Sequence, residues 1–134
     1  MENNRVKAGN LLVAVPEGYT VRTGTNMGDA DDNQVWLQTT PPTFRDYYWI
    51  ILKEAEKEVD NSIQMTKQVN NGTDAESFTL GDTAWSGTTY SYGDMPCNVL
   101  KGVTEGAVYQ VTIIGHEIQS PEAQTVLESI SKAN

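Results

Sequence analysis

Val108-Tyr109-Gln110-Val111-Thr112-Ile113-Ile114-Gly115 is the stretch on which the reading of the fold turns. Successive side chains of a strand point to opposite faces, so Tyr109, Val111 and Ile113 share one face while Val108, Thr112 and Ile114 share the other. β-branched and aromatic residues suit a pleated surface, and a strand apolar on both sides is one covered on both sides.

Upstream, short segments are separated by turn chemistry. Thr104-Glu105-Gly106, Gly93-Asp94 and Gly81-Asp82 offer the glycines that tight connections need, which marks strands over 97–103, 83–92 and 76–80. Asn70-Asn71-Gly72 reads as a further hairpin turn. Ahead of it, Ile63, Met65, Lys67 and Val69 alternate with Gln64, Thr66 and Gln68, the pattern of a half-buried strand. Over 44–59 the period changes: Phe44, Tyr47, Tyr48, Ile51, Leu52, Ala55 and Val59 recur at three and four residue steps, which predicts an amphipathic helix with Leu52 buried. Thr43 is placed to cap it and Asp46 to favour its N-terminal dipole, and Asp60-Asn61-Ser62 would end it.

Downstream, Ser120-Pro121-Glu122 carries a cap, a first-turn proline and an acid beside the dipole. Ala123, Val126, Leu127 and Ile130 then form one face of a last helix. At the start, residues 1–10 are polar and read as a disordered or linker segment ahead of a single domain over 11–134. Residues 11–15 form a nearly all-apolar strand that turns at Pro16-Glu17-Gly18 into a hairpin with 19–23, and 35–39 adds a strand with Trp36 and Leu37 on opposite faces. The fold class is therefore α+β: a single antiparallel sheet of about six or seven strands flanked by two helices, one on each face.

The chain of 134 residues can bury roughly two thirds of its unfolded surface, enough for one continuous core. Nine Lys plus Arg against eighteen Asp plus Glu leave a net charge of -9, which repels phosphate backbones and anionic membranes and argues against nucleic-acid partners. The acidity suits a soluble monomer. No apolar run approaches the ~20 residues of a transmembrane helix. Cys97 is the only cysteine, so no intramolecular disulfide forms, and it is expected as a small buried hydrophobe.

Leu11-Leu12-Val13-Ala14-Val15-Pro16-Glu17-Gly18-Tyr19 at the start, Ala107-Val108-Tyr109-Gln110-Val111-Thr112-Ile113 at the end of the sheet and Val126-Leu127-Glu128-Ser129-Ile130 at the close together resemble the PsbP-like αβα sandwich. That family includes photosystem accessory proteins and small secreted or lipoprotein domains of bacteria. The resemblance implies an extracytoplasmic, secreted or lipid-anchored, non-enzymatic domain whose export signal is absent from the chain. It transfers no functional residue, because fold is not function.

Few residues of the chain carry a recognisable chemical motif. His116 is the single histidine and stands at a strand end, where a solvent-contacting role is expected; no Gly-x-Ser-x-Gly elbow and no phosphate-binding glycine loop is present. Asp29, Asp31 and Asn33 alternate like the start of a calcium loop, but Gln34 replaces the turn glycine and Thr40 the bidentate glutamate, so neither a metal nor another cofactor is expected. Trp85, Tyr90 and Tyr92, set among Ser86, Gly87, Thr88, Thr89 and Ser91, combine rigid aromatics with small hydroxyl groups and are the candidate ligand-binding residues. A non-catalytic domain binding a protein or glycan through that surface is the functional expectation. The alternative is a small hydrolase using carboxylates or His116.

Overall fold

The computed structural model describes residues 5–8, 11–16, 18–23, 34–39, 46–53 and 55–132. They form β1 (Arg5–Ala8), β2 (Leu11–Ala14), β3 (Tyr19–Thr23), β4 (Gln34–Thr39), β5 (Tyr47–Lys53), α1 (Glu56–Asn70), β6 (Thr73–Leu80), β7 (Thr83–Tyr92), β8 (Met95–Thr104), β9 (Ala107–Ile114), α2 (Pro121–Ser129) and β10 (Ser131–Lys132). Seven strands make one antiparallel sheet in the order β3-β4-β5-β9-β8-β7-β6, and β1-β2-β10 make a second, three-stranded one. The fold is α+β, as the sequence pattern predicts.

β9 lies at the centre of the large sheet because both of its faces are apolar. Val111 stands opposite Ile50 on one side and Leu100 on the other, and Val35 continues the row across β4. All four are fully buried, and each such side chain contributes about 1.5–3 kcal/mol by leaving water. This face packs against Leu11 and Val13 of β2 and against Ala123, Val126, Leu127 and Ile130 beside or within α2. α1 lies over β7 and β8 on the opposite face, with Val59 buried beneath it and Lys101 of β8 bonded at 2.7 Å to both Glu56 and Asp60.

Three expectations are corrected. Tyr47–Lys53 is strand β5, not the middle of a helix, so Leu52 is a partly buried strand residue. The run Tyr-Tyr-Trp-Ile-Ile-Leu is apolar at every position, and a strand covered on both faces satisfies helical spacing by accident. Thr43 and Phe44 lie outside the described residues.

Conversely, the expected strand over 63–69 belongs to α1. Glu, Lys, Gln and Met are good helix formers, and no Gly or Pro interrupts the segment. Asn71 adopts the left-handed conformation (φ 55°, ψ 42°) and the Gly72 N–H donates to the Lys67 carbonyl at 2.8 Å, so the Asn-Gly pair closes a helix rather than a hairpin. The alternation of Met65 and Val69 is misleading because both lie on the solvent side of the helix.

The N-terminal segment also departs from the expected pairing. β2 does not form a hairpin with β3 in the large sheet; it pairs with β1 and β10 in a separate layer. Leu11 and Val13 are completely buried, which this layer achieves by stacking on the sheet beside α2. Arg5–Ala8, within the segment expected as disordered or linker, forms strand β1. α2 begins as predicted, with the Ser120 hydroxyl accepting from the Ala123 N–H at 3.1 Å, although buried Ile130 is the residue after the helix rather than inside it.

Candidate functional site

β6 is the last strand of the large sheet and carries Phe78 and Leu80 packed against the core. Its register slips between Ala75 and Phe78, a bulge that presents Glu76 and Ser77 at the sheet edge. Above this edge runs the segment from β9 to α2. The Asn98 side chain, 2% exposed, donates to the His116 carbonyl at 2.8 Å. The Gly115 N–H donates to the Pro96 carbonyl at 2.9 Å, and the Gln124 amide to that of Ile118 at 2.8 Å.

Between the pinned segment and β6 lies a groove of about 740 Å³, within the range of small-ligand sites. Ala75, Phe78, Leu80, Pro96 and Ile118 give it an apolar floor. Asp74, Glu76 and Glu117 border it with carboxylates, and among the described residues no Lys or Arg lines it. Asp74 is bonded to Lys67 at 2.6 Å, whereas Glu76 and Glu117 pair with no cation among the described residues.

The three predicted binding residues separate. Trp85 is 1% exposed, lies over Gly102 and stacks on Tyr109 with ring centroids 6.4 Å apart, so it belongs to the core and is corrected as a ligand contact. Tyr90 is half-buried and borders the groove along its strand, but its ring shares the opposite face with Cys97 and Tyr47, and Tyr92 is 71% exposed at the end of β7. Burial raises the pKa values of the Tyr90 phenol and the Cys97 thiol above their ordinary values, keeping both neutral. Cys97 is buried, as expected. Phe78, Asn98, Ile118 and Gln124 were not legible as site residues, because only the tertiary placement of the β9–α2 segment brings them beside Tyr90.

A second constellation surrounds His116. Its Nε2 lies 2.5 Å from Asp46 Oδ1, 2.8 Å from the Tyr19 hydroxyl and 3.3 Å from Glu122 Oε1, and its ring stacks on Tyr48 at 5.2 Å. The Tyr19 hydroxyl also contacts Asp46 and Glu122, and the fully buried Tyr48 donates to Glu122 at 2.8 Å. Burial first, and then hydrogen bonds to these carboxylates, raise both phenol pKa values far above the ordinary range. His116 keeps partial contact with solvent, 19% exposed, and is also an integral part of a knot tying β3, β5 and the N-terminus of α2.

On the opposite face, Trp36 and Trp49 stack at 4.6 Å with Tyr47 at 5.2 Å from Trp36. The two indoles cover each other's faces, and Trp49 Nε1 donates to Gln34 at 2.8 Å, an arrangement that reinforces the β4–β5 pair. Among the described residues no three His, Cys, Asp or Glu side chains are arranged to hold a metal ion, and no helix is long and apolar enough to cross a membrane. The Asp29–Asn33 segment lies outside the described residues. No protein-family model and no curated protein matches the chain.

Proposed function

We propose that this is a non-catalytic binding domain whose recognition site is the groove along the β6 edge. The observation that carries the reading is the groove itself: about 740 Å³, floored by Phe78, Leu80 and Ile118 and rimmed by hydroxyl, amide and carboxylate side chains. Its ligand is a protein segment or a glycan. The extracytoplasmic setting, as a secreted protein or bacterial lipoprotein domain, is supported by the resemblance to PsbP-like sandwiches alone.

The test is titration of isotopically labelled protein with cellohexaose, chitohexaose and blocked octapeptides, followed by amide NMR. A ligand of the groove shifts the amides of Phe78, Tyr90 and Ile118, and Ile118→Ala removes the shifts at Phe78 and Tyr90 while the rest of the spectrum persists. Shifts confined to any other surface, or none with any probe, would sink the reading.

The hydrolytic alternative has one specific observation behind it, the proximity of His116 to Asp46 and Glu122. Against it, the hydroxyl partner of His116 is the Tyr19 phenol, and burial and the carboxylates hold that phenol protonated. No turnover of chromogenic ester or glycoside substrates is expected. Turnover lost on His116→Gln in a folded variant would establish the alternative.

A further inference from the structure

We propose that the β6 edge takes up a basic, extended peptide as an additional strand of the large sheet. The inference rests on the groove being the binding site and names its occupant. β6 ends the strand order, so among the described residues no strand pairs with its outer side. An edge strand presents alternate N–H and C=O groups outward, which an incoming backbone can satisfy. The groove runs beside that edge, and its apolar floor suits every second side chain of an extended segment.

Charge selects the occupant. Glu76, presented by the bulge, and Glu117 across the groove pair with no cation among the described residues, and the whole chain carries a net charge of -9. A second copy of β6 would set Asp74 and Glu76 against the same carboxylates, a like-charge arrangement that disfavours self-pairing. A lysine-bearing strand turns the same carboxylates into partners. A neutral glycan would use the floor and leave both the edge amides and the charges unanswered.

The experiment uses the full chain and an end-blocked octapeptide alternating lysine and valine, as long as the eight residues of β6. Binding is read by calorimetry and amide NMR, with shifts expected over Thr73–Leu80 and weakening as salt rises. Two further peptides carry N-methyl groups on the odd or on the even residues. A strand offers only one edge to β6, so one methylated peptide should lose about ten-fold in affinity, the worth of one or two net hydrogen bonds, and the other should not. Replacing lysine with glutamate in the peptide should abolish binding, and Glu76→Lys should weaken the lysine peptide.

Equal affinity of both methylated peptides with the parent would overturn strand addition while leaving the groove as the site. Groove shifts with cellohexaose but with no peptide would overturn the peptide occupant and again spare the groove. No groove shifts with any probe would remove both proposals.

Discussion

At the scale of single residues, the molecule relies on two places where substitution has little room. Gly87 and Gly102 stand opposite Leu100 and Trp85. A Cβ on Gly87 would lie 2.1 Å from the Val99 carbonyl oxygen, and one on Gly102 would lie 2.5 Å from the Trp85 ring. Backbone yields less readily than a side chain, so Gly87→Ala should cost more than Gly102→Ala, with both at or above about 1–3 kcal/mol. Denaturant titration of the two variants checks the order. The knot around His116 has a pH signature. Tyr19 and Tyr48 have folded-state pKa values raised above the 10.0 of a free phenol, so their stabilising effect is complete below pH 10. It is lost as pH rises through and beyond 10, where only the unfolded chain ionises. Unfolding free energy should therefore decline above pH 10, and Tyr19→Phe combined with Tyr48→Phe should flatten that decline; an unchanged slope would show that these phenols are not held neutral.

At the scale of elements, α1 shows what local pattern can and cannot convey. β9, α2 and the Gly81, Gly93 and Gly106 turns were legible because strand propensity, caps and positive-φ glycines all agree there. Tyr47–Lys53 and Glu56–Asn70 were exchanged in type because each carries the other's periodicity: a strand covered on both faces has no alternation, and a helix with exposed Met65 and Val69 has a false one. Burial against distant chain decided both, and no window of residues contains that information. The candidate site was half legible for a related reason. The hairpin of β7 and β8 supplies Thr89 and Ser91, but the opposite wall comes from the β9–α2 segment. The helical assignment predicts that Val59→Ala costs about 2 kcal/mol while Met65→Ala changes stability by less than about 0.5 kcal/mol. Comparable losses at the two positions would mean that the face of α1 is misplaced.

At the scale of the whole molecule, one core joins the two sheets. Leu11 and Val13 of the small sheet, Val111 and Ile113 of the large one and Val126 and Leu127 of α2 belong to a single buried cluster. Neither sheet keeps its apolar face covered without the other, so neither is expected to persist alone. α1 is joined differently: Val59 is its one buried residue, and its ion pairs to Lys101 use carboxylates about half exposed, where screening leaves them worth little. Loss of α1 would uncover the β7–β8 face yet leave that cluster intact, so local opening should begin there. Native-state hydrogen exchange should accordingly release the amides of α1 before those of β9. In denaturant, near-ultraviolet circular dichroism, which reports the packed Trp36, Trp49 and Trp85, should coincide with the far-ultraviolet signal in one transition. Val13→Ala should move both signals together to lower denaturant, since the small sheet belongs to the same core. An early, separate transition in that variant would show the β1-β2-β10 layer to be an independent unit, and the shared core would have to be divided.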